Sequence, residues 1–510
     1  MGFSPARGAE LDARQSDGKK IYTTGIGTTE DGIQADIAGG ISLPATDHPC
    51  VQCHGVQGKG GQEGGVLISD ITWERLSAPY GIPTMLGGTR PPYTKKTFFR
   101  AIREGIASSG EDLDIMMPHY RINNADLESL YAYIQAIGKE DAPGTDAATI
   151  RIGTLLPMDS PGGQGRAIAL LLQRYFDKIN RGGGIHGRNI KLVVTNAGNS
   201  EDNALNAARR LINKNGIFAF IANAGMGAHP RVLGLLEGFN IPVFGPLTFA
   251  HGVPQRGSVF YLLASLEDEG RAAARYLKSD NTKTEKNIGL LYGTDGGSAE
   301  MVEGFTDEAK KIGLALQFKS PWDGNSATRL VESLYESGID TVVFFGNAGQ
   351  VQNLLSQAKI MNWSPSLMTS TVLLGGRLRS YKQAAFISPP LAPGAVGVND
   401  NAFLNILNGG ASNKNAATDR KILLNPANRS MLMAAYASAR LLTDGLTTVG
   451  RDISRYELLE AVRKMRGLET GVMPPIKFGP NLRVAARGAL IIINSAETGK
   501  TSSRWISLAE

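Results

Sequence analysis

A chain of 510 residues is too long to fold around one core, so two or three domains are expected. An apolar fraction of 42% and a charged fraction of 20% exclude extensive disorder. The formal net charge is only +6, with no basic run or basic helix face, which excludes a nucleic-acid-binding chain; no apolar run approaches the roughly 18 residues that span a bilayer. The 62 glycines favour an α/β protein with many tight strand–helix turns.

Residues 1–16 are polar and read as a flexible N-terminus without the apolar stretch of a signal peptide, so an exported form is expected to have lost its signal before this sequence begins. A short helix is predicted from Gly18 through Tyr22, followed by a long Gly/Thr/Asp-rich loop to Asp47. Helices are predicted over Lys95–Gly105, with apolar Phe98, Phe99, Ile102 and Ile106, and over Ala125–Ile137. The second follows Asn124 as N-cap and carries the stripe Leu127, Leu130, Tyr131, Ile134 and Ile137. Residues 139–148 lack an apolar period and read as a linker. Beyond them strands and helices alternate. Strands are predicted at Ile150–Leu156, Ile190–Val194, Phe218–Ala222, Ile241–Phe244, Ile288–Tyr292 and Thr341–Phe345. Helices are predicted at Ala167–Asn180, Asn203–Asn213, Arg231–Phe239, Glu300–Ile312 and Val351–Met361. This rhythm predicts doubly wound parallel sheets.

Cys50, Cys53 and His54 have the spacing of covalent haem attachment: two thiols reach the two vinyl groups of one porphyrin, and the adjacent imidazole lies beneath the iron. A redox Cys-x-x-Cys pair usually follows a strand at a helix start; here Pro44, Asp47, His48 and Pro49 precede it. These are the only two cysteines, too few for a disulfide framework or a thiolate zinc site. Downstream, the loop Ile115, Met116, Met117, Pro118, His119 and Tyr120 offers a thioether for the sixth iron position. One covalent haem c implies an oxidising, periplasmic location and electron transfer.

Residues 17–138 resemble a class I cytochrome c domain. The likeness rests on Gly18–Tyr22, Cys50–His54 with Gly55, Leu86 and Gly87, Ile102–Gly105, Met117 with Pro118, and Leu127–Ile137. It implies an all-α domain with His54 and Met117 as axial ligands, Met116 and Met85 in reserve, and His119 a poorer alternative. Such six-coordinate iron has no open position and suits outer-sphere electron transfer. Lys19, Lys20, Lys59, Lys95 and Lys96 either ring the haem edge and steer an acidic redox partner or form a solvated surface. The loop before Cys50 is longer than the family's, so its tip is expected to cover the haem edge or bind something else.

Residues 149–510 resemble the type I periplasmic binding proteins, the branch with leucine/isoleucine/valine-type and amide-type receptors. The likeness is carried by Ile150–Pro157, Ser160–Gly165, the run Ile179–Arg188, Asn203–Ile212, Ile241 with Pro242, Gly338–Val343, Tyr436 and Ile476–Asn481. The glycines between 182 and 187 follow a helix and precede a strand, the wrong order for a dinucleotide turn. The resemblance implies a two-lobed α/β domain joined by crossover strands, with a small solute held between lobes that close by a hinge. It places the cleft at Gln164, Met226, Leu247, Thr248, Phe249, Gly297 and the loop 370–373 with Thr371. Amino-acid receptors have hydroxyls where this chain has Met226 and Phe249, and a tyrosine where it has Gly297. Two lost hydroxyls forfeit roughly 1.5–3 kcal/mol each of hydrogen bonding to a carboxylate. With Tyr292 and Trp322, these residues point to a weakly polar or aromatic ligand and not a simple amino acid.

The fold expectation is therefore a multidomain chain: an all-α cytochrome c domain, then a two-lobed α/β binding domain. Three functions follow. The first is a periplasmic haem c protein that couples solute capture or sensing to electron transfer with a redox partner. The second is a receptor for a membrane ABC permease, with the haem accessory. The third is a haem-dependent oxidoreductase acting on the bound solute. No nucleophile–base pair or second cofactor motif supports an enzyme, and His186, His229 and His251 read as structural or surface groups.

Overall fold

The chain opens in a helix set by its own cap. Asp12 Oδ1 accepts from the Gln15 amide at 2.8 Å, and Gln15 Oε1 accepts from the Asp12 amide at 3.0 Å. This reciprocal box starts helix Ala13–Thr24 inside the stretch expected to be loose, and Gly25 at φ 71° stops it. The computed structural model describes residues 11–29, 32–55, 57–63, 66–78, 82–83, 89–137, 142–160, 162–249, 251, 257–279, 287–374, 384–389, 391, 401–409, 416–451, 453–479, 482–494 and 501–508. It divides into two compact units, Met1–Asp141 and Ala142–Glu510.

In the first unit, helix Ala13–Thr24 crosses helix Asn124–Ala136, whose N-cap is Asn123. The approach is closest at Gly18, where an added Cβ would stand 1.9 Å from the Ser129 carbonyl oxygen. Tyr22 and Tyr133 meet with ring centroids 5.4 Å apart. Helices Cys50–His54, Trp73–Leu76 and Lys95–Glu104 complete the helical part. Tyr22, Phe98, Leu127, Leu130 and Ile134 fill the core.

The expectation of an all-α unit is corrected by the loop before Cys50. Strands Gln34–Ile37 and Ile41–Pro44 form an antiparallel hairpin, and the first also pairs with His119–Arg121. Ile33 and Ala35 turn into the core at period two, and Gly39 and Gly40, at φ 87° and 73°, supply the turn.

The second unit holds two sheets. The first runs, in spatial order, Val259–Phe260, Val243–Phe244, Ala219–Ile221, Thr149–Leu156 and Asn189–Asn196, all parallel. The second runs Phe318–Pro321, Ile288–Tyr292, Thr341–Phe345, Ser366–Ser370 and Ala384–Ser388 in parallel, then Gly488–Asn494 and Thr501–Ser507 antiparallel. Helices Gln164–Arg181 and Arg429–Val449 pack on the first sheet's core. In the second lobe, helices Leu266–Ser279 and Gly296–Ile312 cross where an added Cβ on Gly304 would stand 1.9 Å from the Glu267 oxygen.

Lys139, Glu140 and Asp141 of the expected linker lie outside the described residues. Its second half is built into this unit: Thr145 bridges Ile150, and Arg151 donates to the Gly144 oxygen at 2.7 Å.

Within helix Leu266–Ser279, Glu269 is fully buried and, among the described residues, both carboxyl oxygens lack a partner. Burial alone pushes its pKa up to about 8 from 4.5. The folded chain then holds a proton that the unfolded chain releases, so stability is lost as pH rises from 4.5 towards 8, at up to about 1.4 kcal/mol per unit. Glu269→Gln is expected to remove this slope and to be more stable than the parent at pH 8. Melting temperatures at pH 5 and pH 8 check it; an equal fall in both proteins would refute it.

Candidate functional site

Cys50 and Cys53 lie one turn apart on helix Cys50–His54, which places their side chains on one face. No disulfide joins them. Cys50 is half-buried against the unit's core and Cys53 is exposed. His54 ends the helix and is 9% exposed. Its Nδ1 donates to the Ser69 carbonyl at 2.9 Å. A carbonyl only accepts, so this bond fixes the proton on Nδ1 and leaves the Nε2 lone pair available. Burial lowers the imidazole pKa, which keeps it neutral.

The donor types fit a haem c: two thiols on one helical face with an oriented neutral imidazole beside them. Cys50 also lines a small apolar pocket with Ile21, Ile33, Ala45, Tyr120 and Leu130. Of the neighbouring thioethers, Met117 packs on the same core as Cys50, whereas Met116 is 66% exposed. His119 alternates outward from buried Tyr120 and lies over Gly105, where an added Cβ would meet its Nε2. Met85, Leu86 and Gly87 lie outside the described residues. Lys95 Nζ lies 2.5 Å from Glu128 and 5.6 Å from the Phe99 ring centroid. Among the described residues no three His, Cys, Asp or Glu side chains converge as a site for a bare metal ion.

The second candidate site follows from strand order. In each lobe the first strand lies inside the sheet, and the chain winds first to one side and then to the other. Such a sheet opens a crevice beyond the carboxyl ends at its switch point. Those points fall between Thr149–Leu156 and Ala219–Ile221, and between Ile288–Tyr292 and Thr341–Phe345.

Gln164 begins helix Gln164–Arg181 after the first strand. Met226 sits on the short turn Gly225–Ala228 and packs on the first lobe. The Leu247 amide donates to the Asn223 oxygen at 2.7 Å, and half-buried Thr248 follows. Phe249 packs against the cores of both lobes. In the second lobe, Tyr292 closes its strand with Lys319 Nζ 5.9 Å from its ring centroid. Gly297 stands in the first turn of helix Gly296–Ile312, which Asp295 caps through the Ser298 amide at 3.0 Å. An added Cβ on Gly297 would lie 3.3 Å from Leu266 and 3.4 Å from Leu373, which brings the 370–373 loop against Gly297 within the second lobe. Buried Thr371 donates its amide to the Ile387 oxygen at 2.8 Å.

Trp322 is corrected to a core residue: it is 5% exposed and tilts onto Phe344 at 5.0 Å. His251 stacks on Tyr261 at 4.1 Å, and burial lowers its pKa to about 4. His229 Nδ1 lies 3.6 Å from Glu201, and His186 Nε2 lies 3.1 Å from the Thr447 oxygen.

Sequence reasoning missed two polar groups at the switch points. Asn223 is fully buried; its Oδ1 accepts from Leu155 at 3.1 Å, while among the described residues Nδ2 has no acceptor. Gln350 Oε1 accepts from the Asn347 amide at 2.9 Å and would lie 2.8 Å from a Cβ added to Gly346. The signal for the second was the capping box Asn347–Gln350.

A model of the family described as periplasmic binding protein matches residues 149–495. Among solved structures, a Desulfitobacterium hafniense ABC transporter substrate-binding protein in complex with Leu is 18% identical with TM-score 0.55, over 70% of this chain and all (100%) of its own. A fatty acid ABC transporter substrate-binding protein from Thermomonospora curvata is 17% identical with TM-score 0.51, over 73% of this chain and 95% of its own. A branched-chain amino acid transporter substrate binding protein from Streptococcus pneumoniae, in complex with isoleucine, is 15% identical with TM-score 0.51, over 70% and 99%. At these identities the likeness concerns fold alone. Curated proteins yield no match. The two α/β sheets wound about internal first strands, together with a family match over more than half of its length, make this chain a member of the periplasmic binding protein family.

Proposed function

We propose that the protein is a periplasmic solute receptor that carries one covalent haem c and couples solute capture or sensing to electron transfer with a redox partner. The observation that carries the haem assignment is the hydrogen bond from His54 Nδ1 to Ser69, which holds an unprotonated Nε2 next to Cys50 and Cys53. Bound there, haem supplies one-electron transfer. Cys50 and Cys53 would hold it through thioether bonds, with His54 Nε2 and Met117 Sδ as the residues that would bind the iron.

The solute site is the crevice at the carboxyl ends of both sheets. Phe249 contacts both lobe cores and Leu373 lies against Gly297, while the cavity that Phe249 lines also carries Glu267, Asp268, Arg271, Glu300 and Glu303. Its apolar side chains are the ones that would favour a weakly polar or aromatic solute over a zwitterionic amino acid. A second reading, delivery of the solute to an ABC permease, is favoured by the fold shared with substrate-binding proteins of such transporters.

Matured in a periplasm equipped for c-type haem attachment, the chain is expected to gain the mass of one haem. Cys50→Ser with Cys53→Ser is expected to lose all covalent haem. Met117→Ala should keep the haem, lose the far-red sulfur-to-iron band and lower the reduction potential. A parent protein that matures without haem would sink the assignment.

Thermal shift is expected to rank weakly polar aromatic solutes above leucine and isoleucine, by RT ln(1 + [L]/Kd), and Phe249→Ala should cut that shift. The reverse ranking would count against the apolar reading. Under a saturating solute, an unmoved haem potential would leave the receptor assignment but remove the coupling.

A further inference from the structure

The long segment before Cys50 does not end in a free tip. Strand Gln34–Ile37 pairs Gln34 with Arg121, Ala35 with Tyr120 and Asp36 with His119, directly after Met117 and Pro118. Arg121 Nη2 lies 3.0 Å from Asp36 Oδ1 and also bonds Ser42 on the second hairpin strand. Tyr120 is 6% exposed, lines the same apolar pocket as Cys50, and its hydroxyl donates to the His48 oxygen at 2.8 Å. The other end of the methionine segment is tied as well: Leu113 donates to the Gly105 oxygen at 2.6 Å, and Met117 to the Asp114 oxygen at 2.8 Å.

We infer that the hairpin Gln34–Pro44 and the Tyr120 hydroxyl form a brace that positions Met117 as the sixth iron ligand. This rests on the haem reading above. The brace joins the strand after Met117 to the segment entering the Cys50 helix, so the thioether and the attachment helix move as one body. Tyr120 and Arg121 are positioning residues. A thioether is a weak iron ligand, and its competition with an external base depends on how firmly its loop is held.

The test uses the full haem-loaded chain. Imidazole is titrated into the ferric protein, and displacement of Met117 is read from loss of the sulfur-to-iron band. Tyr120→Phe and Arg121→Ala are each expected to raise apparent imidazole affinity by about three- to tenfold, the size of one hydrogen bond. The double variant should add to either, and Arg121→Lys should recover part of the loss. If Tyr120→Phe does not mature, Arg121→Ala, altering an exposed side chain, carries the test alone. Unchanged imidazole affinity in haem-loaded variants overturns the brace and leaves the haem reading standing. A parent with haem attached but no sulfur-to-iron band overturns Met117 ligation and the brace with it. A parent without covalent haem overturns both readings.

Discussion

Parallel strands cannot be joined by a tight turn; each pair needs a crossover, and the crossovers leave every loop that follows a strand on one edge of the sheet. In both lobes the chain starts inside the sheet and winds outward twice, so the loops at the switch point diverge and leave a crevice. The placement of the second site follows from that constraint. Met226, Leu247 and Phe249 follow strands of the first sheet, while Tyr292 ends a strand of the second and Gly297 and Thr371 follow strands of it. Close packing sharpens it: an added Cβ on Gly227 would stand 2.4 Å from the Leu155 oxygen, so the Met226 turn is pressed onto the first strand.

A similar economy of space governs the first unit. Helices Ala13–Thr24 and Asn124–Ala136 touch backbone to backbone because residue 18 has no side chain. Their contact carries Tyr22 against Tyr133, and the Tyr22 hydroxyl reaches the Gly55 oxygen at 2.5 Å, immediately after His54. The helix that bears the cysteines is thereby tied to the helical pair at one end and, through Tyr120 and His48, to the hairpin at the other. Its imidazole is aimed by one more bond, to Ser69. Each tie is a hydrogen bond of modest net worth, about 1 kcal/mol, yet together they fix a direction that apolar packing alone leaves free.

The parts of this architecture that were legible in the sequence are those whose signal is local. Leu127, Leu130, Ile134 and Ile137 repeat at helical spacing, and Val342, Val343, Phe344 and Phe345 form a wholly buried run. The hairpin at 34–44 was not legible, because only Ile33 and Ala35 turn inward and the surrounding Gly, Thr and Asp residues read as loop. The helix start at Ala13 was hidden because its stabilisation comes from one capping box in a polar stretch. Trp322 and Phe249 are both large apolar residues near strand ends; only the fold shows that the first is inside one lobe and the second lies between two. Met116 and Met117 are chemically identical neighbours. What separates them is packing: Met117 lies partly buried against the unit's core, while Met116 is exposed.

The lobes are linked where the chain passes from one sheet to the other, and two of those passages, both leading from the first lobe to the second, are paired with each other. Tyr261 donates to the Arg483 oxygen at 2.8 Å, and Ala485 donates back to Tyr261 at 2.9 Å. Beyond this pairing Arg487 bonds Asp268 at 3.2 Å, and Asp268 also bonds Arg271 at 2.9 Å. Both segments run from the first lobe to the second, side by side and parallel, and form a two-stranded joint with an ionic clasp on the second-lobe side. A paired joint resists twisting more than a single strand does and favours bending about one line, which is the motion a crevice needs to close on a solute. Phe249 sits a dozen residues before Tyr261 and packs against both lobe cores, so one side chain touches both of the bodies that the joint connects.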